Sequence, residues 1–147
     1  MFRGASRRPL HGLLLFLLLP LRAFADDPVA QHFQTGLAYE RLGRYDEAYT
    51  ELQLAFALDQ NNTELAAALG IVACRLGRMD VALRALERSI SLNSNSVASY
   101  FELGLLYEKQ GKADRALDAW RRFLSLSQDN VLKTVAQKHI QYLELHG

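Results

Sequence analysis

Side chains that could carry out catalysis are few in this chain of 147 residues. Its one cysteine, Cys74, could act as a nucleophile only as a thiolate, which needs a neighbouring base. No histidine or aspartate motif stands beside Cys74, which falls in the middle of a predicted helix. We interpret it as a small, half-buried apolar residue. An enzyme that uses Cys74 is kept as a third functional hypothesis.

Metal, phosphate and acid–base sites are not indicated either. His32, His139 and His146 lack the H-E-x-x-H or Cys/His spacing of a zinc site. The glycines recur as helix-ending residues rather than in a phosphate-binding loop, and the acidic residues are scattered over predicted helix surfaces. The sequence therefore predicts no enzyme activity, no cofactor and no metal site. With a single cysteine, it also predicts a fold without an internal disulfide.

A strict period of 34 residues organises the rest of the chain. The residues that recur at this step are Gly36, Gly70 and Gly104; Gly43, Gly77 and Gly111; Asp46, Asp80 and Asp114; Ala48, Ala82 and Ala116; and Leu58, Leu92 and Leu126. Small residues at a fixed phase predict a stack of one repeated supersecondary unit. Such stacks usually present a curved surface to a partner.

Each unit is predicted to be two helices separated by a turn. The units span residues 29–62, 63–96 and 97–130, and each has two apolar stretches with helical spacing. The second glycine of each set follows an apolar stretch and is expected to end the first helix. The aspartates then open the second helix, where a negative charge suits the helix dipole. The residues expected to cap the helix after each unit are Asn62, Ser96 and Asn130, and Asp27 is expected to cap the first helix.

The third unit resembles the tetratricopeptide repeat, a pair of antiparallel helices. Its matching residues are Tyr100, Leu103, Gly104, Tyr107, Ala116 and Trp120, and the other two units match in the same phase. The resemblance implies an all-α fold, a right-handed α-solenoid of three helix-turn-helix units. The proline that usually follows the second helix is replaced by Gln60, Ser94 and Gln128, so we expect slightly looser joints.

Residues 131–146 are predicted to form a seventh helix that caps the third unit. Phe123 stands where the first two units have Ala55 and Ser89, and its bulk indicates a different neighbour. The apolar face of this cap is expected to contain Val131, Val135, Ile140, Leu143 and Leu145. The residues expected to face outward are Lys133, Gln137, Lys138 and Gln141.

The resemblance also implies that the first helices of successive units line a concave groove. The candidate partner-binding residues on those helices are Phe33, Leu37, Arg41, Ile71, Arg75, Phe101, Leu105 and Lys109. An apolar floor beside a basic row suits a protein or peptide with an apolar, partly acidic face. Alternatively, the apolar positions are core between neighbouring helices and the basic row is a solvated stripe. The groove could also be filled by the N-terminal residues of the chain or by a second copy.

One known use of such a groove does not fit. Some tetratricopeptide co-chaperones hold the C-terminal carboxylate of heat-shock proteins with Lys, Asn and Arg on their first helices. The matching positions here are Phe33, Leu37, Ala68, Ala98 and Glu102. None of these side chains can hold a carboxylate, and Glu102 would repel it.

The first 25 residues have the pattern of a cleaved secretory signal. Three arginines and no acidic residue precede an apolar run over residues 13–21, and Ala23 and Ala25 form an A-x-A exit. A mitochondrial presequence, a permanent anchor and a lipoprotein signal fit less well, because the leucines are bunched, the run is short and no cysteine stands at the exit. Cleavage after Ala25 would leave residues 26–147 and change the formal net charge from +1 to −3, which does not suggest nucleic-acid binding.

These patterns together predict a small exported scaffold or adaptor. It would be periplasmic in a bacterium and secreted otherwise, and it would serve a cell-envelope or secretion assembly. No nucleic-acid partner and no permanent membrane anchor are expected. The alternative is a structural subunit that self-associates as a homo-oligomer or completes a larger complex.

Overall fold

The computed structural model describes residues 27–147, all of whose regular elements are helices, and this confirms the predicted all-α class. The helices are α1 (Pro28–Arg41), α2 (Tyr45–Leu58), α3 (Thr63–Arg75), α4 (Met79–Leu92), α5 (Val97–Lys109), α6 (Ala113–Leu126) and α7 (Asn130–His146). They form three helix pairs and a final helix, as an α-solenoid of three units requires. The predicted signal segment lies outside the described residues.

The turn inside each pair is built on a glycine with left-handed backbone geometry. Gly43, Gly77 and Gly111 have φ angles of 71°, 71° and 68°. In the third turn the amide of Lys112 donates to the carbonyl of Tyr107 at 2.9 Å, and both other turns repeat this bond. The bond closes a Schellman motif, which satisfies carbonyls left open at the helix end. The glycines therefore stop the first helices where the sequence predicts.

Of the four predicted capping residues, two accept a backbone amide of the helix that follows. Asp27 accepts the amide of Val29 at 3.0 Å, and Asn62 accepts the amide of Leu65 at 3.0 Å. The cap of α7 is Asp129 and not the predicted Asn130, because Asp129 accepts the amides of Val131 and Leu132. An aspartate there brings a negative charge to the helix dipole, and α7 begins one residue earlier than predicted.

Ser96 occupies the predicted N-cap position of α5, but its side chain makes no capping hydrogen bond. The Ser96 hydroxyl instead lies 3.0 Å from that of Ser89 and 2.9 Å from that of Ser99. Ser89 also donates to the carbonyl of Thr63 at 3.1 Å. The three hydroxyls thus satisfy one another at the buried junction of α4 and α5, where an unpaired hydroxyl would be costly.

Neighbouring helices approach closely at the first glycine of each pair. A Cβ added to Gly104 would lie 2.5 Å from Cε2 of Trp120, which is fully buried. The equivalent additions at Gly36 and Gly70 would lie 2.8 Å from Leu52 and 2.6 Å from Leu86. The pairs therefore pack backbone against side chain, and any Cβ at these positions would force a large neighbour to move.

The outer edge of the first pair is more polar than the equivalent surface of later pairs. Leu65 and Leu69 of α3 are buried against the first pair, whereas the equivalent residues of α1 are Gln31 and Thr35. Glu51 of α2 is likewise polar where α4 and α6 have buried alanines. Glu51 lies 2.7 Å from Nδ1 of His32, so the two side chains satisfy each other at the edge. This edge is adapted to water.

Helix α7 packs on α6 with a face that differs from the predicted one. Ala136 and Leu143 are buried, but Val131 and Leu145 are 75% and 70% exposed. The ring of His139 stacks on Trp120 with a centroid distance of 4.7 Å. Because these contacts centre the packing face on Ala136, the two ends of the predicted apolar face point away from the stack.

None of the helices within residues 27–147 combines the length and the hydropathy of a membrane-spanning segment.

Two glycine substitutions should separate close packing from turn geometry. We expect Gly104→Ala to lower the free energy of unfolding by about 3 kcal/mol, because the buried indole of Trp120 cannot move aside. Gly111→Ala meets open space and should cost only about 1 kcal/mol for its left-handed backbone. Urea denaturation followed by circular dichroism measures both. Equal losses would contradict the close-packing argument.

Candidate functional site

The predicted groove residues lie on α1, α3 and α5, the first helices of the three pairs. Leu37, Ile71 and Leu105 are half-buried, so each keeps part of its apolar surface open to solvent. Arg41 and Lys109 are exposed beside them. We call these residues, with Phe33, Arg75 and Phe101, the concave floor, after the groove that the sequence predicts. Its apolar row and basic row are both present on the surface.

The basic row is interrupted by an ion pair across α3 and α5. The Arg75 guanidinium donates to the Glu102 carboxylate at 3.2 Å. The Glu102 side chain is only 8% exposed, compared with 45% for Arg75. Burial raises the pKa of the Glu102 carboxyl, and the charge and hydrogen bond of Arg75 offset part of that rise. Sequence reasoning found Glu102 only as a residue that would repel a carboxylate and missed its partner.

A small cavity of about 150 Å³ opens beside this ion pair. The residues lining it are Cys74, Arg75, Met79, Glu102, Leu105, Leu106 and Lys109. Burial raises the pKa of the Cys74 thiol to about 11, and the negative charge of Glu102 adds to the effect. The thiol is therefore protonated at neutral pH, which is unfavourable for a nucleophile. Cys74 serves here as part of an apolar wall.

A larger apolar cavity of about 500 Å³ lies where α7 begins. The residues lining it are Val97, Ala98, Phe101, Glu102, Phe123, Leu126, Ser127, Gln128, Asp129 and Leu132. Glu102 lines both cavities, so this buried residue lies between them. Sequence reasoning missed this cavity because it depends on where α7 packs. The unusual bulk of Phe123 is the one sequence signal that pointed to it.

Two of the groove-helix residues also stabilise the fold. The ring of Phe101 packs edge-on against Trp120 at a centroid distance of 5.2 Å and against Phe123 at 5.3 Å. Glu108 accepts a hydrogen bond from Nε1 of Trp120 at 2.6 Å and lies 2.9 Å from Nδ1 of His139. Near α7, therefore, part of the predicted groove serves as core between helices, as the alternative interpretation of these apolar positions expects. Within residues 27–147, no group of three or more His, Cys, Asp and Glu residues could hold a metal ion.

The buried carboxylate can be tested through the pH dependence of stability. Because its pKa is raised in the folded chain, Glu102 costs stability once the pH rises above the ordinary carboxyl pKa. We expect Glu102→Gln to be at least as stable as the original chain at about pH 7, with the difference vanishing near pH 4. Thermal unfolding at both pH values measures this. A loss confined to neutral pH would mean that the Arg75 pair outweighs burial.

Glu47→Gln provides a matched control, because its expected change in stability at neutral pH has the opposite sign. The pKa of exposed Glu47 is lowered, mainly by a hydrogen bond from Arg44. Its contribution to stability is present above the ordinary carboxyl pKa and is lost as the pH falls through the lowered value. The variant should therefore be slightly less stable at neutral pH, by a small amount because the pair is exposed.

Two models of the tetratricopeptide repeat match the sequence, one over residues 29–62 and the other over residues 67–130. A search of curated proteins finds no match. Many solved structures are similar, among them the crystal structure of MamA, with a TM-score of 0.73 and 26% identity over 83% of this chain and 71% of that one.

Two further similar structures contain bound peptides. The Yersinia enterocolitica type III secretion chaperone SycD, in complex with a peptide of the translocator YopD, has a TM-score of 0.72 and 16% identity, over 78% of this chain and 91% of that one. The first tetratricopeptide domain of Spaghetti, bound to an HSP90 peptide, has a TM-score of 0.72 and 21% identity, over 80% of this chain and 90% of that one. At these identities the likeness shows the fold.

The two family models carry the same description and together take in more than half of the chain. Their matches fall on the three helix pairs, whose glycine turns and close packing repeat at the same step. The chain therefore belongs to the tetratricopeptide-repeat proteins.

Proposed function

We propose that this protein is an exported scaffold that holds a peptide or protein segment on the concave floor. The tetratricopeptide fold is a protein–protein interaction scaffold, and the observation that carries the proposal is the row Leu37, Ile71 and Leu105. These three residues repeat at the same step on adjacent helices and are only half-buried. Contiguous apolar surface that stays open to water usually marks a binding site.

The peptide complexes of SycD and Spaghetti support a peptide as the class of partner. Those proteins hold peptides of YopD and HSP90 on the same fold, and we extend the class of ligand, not its identity, to this chain. An HSP90 type of C-terminal carboxylate is disfavoured here. Buried Glu102 occupies one of the positions that would have to hold it.

The chemistry of the floor suits a partner with large apolar side chains and some acidic residues. The cavity at the start of α7 is large enough for one such side chain and is lined mainly by apolar residues. Exposed Arg41 and Lys109 offer charges to carboxylates at the two ends of the floor. Since Arg75 already pairs with Glu102, we assign it to positioning this carboxylate rather than to holding the partner.

Export rests on the first 25 residues. Their basic start, short apolar run and A-x-A exit support cleavage after Ala25 and a periplasmic or secreted protein. We propose that the scaffold serves a cell-envelope or secretion assembly in that compartment.

A second candidate is a structural subunit that self-associates. Leu54 and Leu58 of α2 favour it, because they are 46% and 57% exposed one helical turn apart. One SycD structure is described as an alternative dimer, which shows that the fold can pair. Dimerisation that depends on concentration and is lost in Leu54→Asp would support this candidate.

The concave floor can be tested by paired Leu→Asp changes. Leu37→Asp and Leu105→Asp should each reduce capture of envelope-fraction proteins by tenfold or more, because a charge in an apolar contact must be desolvated. Leu145→Asp is the matched control, since it places the same charge on an exposed leucine near the end of α7. Quantitative mass spectrometry after affinity capture compares the three. Capture that is unchanged in both floor variants would refute the proposal, and circular dichroism checks that each variant is folded.

Signal cleavage gives a separate prediction. The mature chain should begin at Asp26, and Ala25→Leu should block cleavage because the exit position requires a small residue. Phe24→Leu is the matched control, since the position between the two alanines is not restricted. Intact mass of the secreted chain measures both, and an N-terminus at Met1 in the original chain would contradict export by this route.

A further inference from the structure

The second helices carry two cavities at equivalent positions on the side of the stack away from the concave floor. The first has a volume of about 520 Å³ and lies between α2 and α4. The second has a volume of about 480 Å³ and lies between α4 and α6. Equivalent positions of the repeat line both cavities. Phe56 of the first corresponds to Ile90 of the second, and Arg88 corresponds to Arg122. The 34-residue period explains why there are two such cavities, but the two differ in charge.

The first cavity is lined by positive charge without a compensating carboxylate. Its two charged residues are Arg84 and Arg88. In the second cavity Asp118 replaces Arg84 at the equivalent position, and Glu87 and Arg115 stand where the first has Gln53 and Val81. The second cavity therefore balances two arginines with two carboxylates, whereas the first has an excess of positive charge.

The two arginines of the first cavity differ in their hydrogen bonding. Arg88 is held in place because its Nε donates to the carbonyl of Gln60 at 3.3 Å and a terminal nitrogen donates to Oδ1 of Asn61 at 2.7 Å. Arg84 is exposed and takes part in no hydrogen bond or ion pair among residues 27–147. A guanidinium group that is exposed and unpaired beside an apolar cavity is well suited to bind a carboxylate in two contacts.

The floor of the first cavity is apolar and already formed. Tyr49 is 5% exposed, and the guanidinium of Arg78 lies 4.1 Å from the centre of its ring. Arg78 also lies 3.6 Å from Asp46, so this third arginine near the cavity already has a carboxylate partner. Phe56 and Val81 are half-buried on the two walls, so a side chain inserted between the helices would cover them.

We propose that the cavity between α2 and α4 is a second binding surface, for an acidic peptide segment. The segment would insert one large apolar side chain between the two helices and place carboxylates on Arg84 and Arg88. The two requirements come from the same cavity: an apolar floor that excludes water and an excess of positive charge at its rim. This surface is separate from the concave floor, so its occupation does not depend on the proposed function.

Binding can be tested with two short fluorescein-labelled peptides that share a central phenylalanine. One is flanked by glutamates and the other by lysines, and anisotropy is measured with the full-length chain. The glutamate peptide should bind at least tenfold more tightly, and its affinity should fall as salt is added. Its amide shift changes in NMR spectra should centre on Tyr49, Val81 and Ala85, which line the cavity.

The repeat itself supplies the matched variants. Arg84→Asp gives the first cavity the residue that the second cavity already has, and it should weaken the glutamate peptide about tenfold. Asp118→Arg makes the reverse change and should create a second site for the same peptide. Leu37→Asp on the concave floor should leave this binding unchanged, which separates the two surfaces.

Three results would overturn the proposal. The first is equal binding of both peptides, or binding of neither. The second is an unchanged affinity in Arg84→Asp, or shift changes confined to α1, α3 and α5. The third is sedimentation that shows the cavity occupied by a second copy, with dimers lost in Arg84→Asp. Circular dichroism of Arg84→Asp should match the original chain, because the residue is exposed.

Discussion

The stack depends on one contact that recurs in every helix pair, a glycine backbone pressed against a large side chain. Leu52, Leu86 and Trp120 each lie closer to the facing glycine than a Cβ would allow. This contact sets the distance between the two helices of a pair, and through it the position of every other residue on their faces.

The third pair uses a different side chain for this contact, and the difference extends to the end of the chain. Trp120 fills the space that leucines fill in the earlier pairs, and its indole nitrogen needs an acceptor when buried. Glu108 supplies that acceptor and also contacts His139, which stacks on the same indole. The bulk of Trp120 thereby fixes the position of α7. That position in turn creates the larger cavity at the end of the concave floor.

Much of the fold follows from the sequence alone, because its signals are local. The glycines that end the first helices and the start of α3 behind Asn62 are short-range effects, and the structure confirms them. The cap of α7 is Asp129 rather than Asn130 because two adjacent polar residues compete for that role, and the Ser96 hydroxyl bonds to Ser89 and Ser99 instead of capping α5. The apolar face of α7 failed for a similar reason, because its partner surface is made by residues distant in the chain.

The site is less predictable than the fold. The period predicts which residues share a face, but it carries no information about pairing between units. The bond from Arg75 to Glu102 joins positions of different phase in neighbouring units, so no repeat pattern contains it. The charge difference between Arg84 and Asp118 is visible in the sequence, yet it gains meaning only once both are seen to line equivalent cavities.

The polar edge of the first pair limits how this protein can grow into larger assemblies. A repeat stack with an apolar surface at each end could add copies end to end without limit, as a filament does. Gln31, Thr35 and Glu51 remove that surface at the described start of the stack, whereas Val131, Tyr142 and Leu145 of α7 are exposed at the other end. Addition of copies end to end is therefore disfavoured at the described start of the stack, where polar side chains would have to be desolvated.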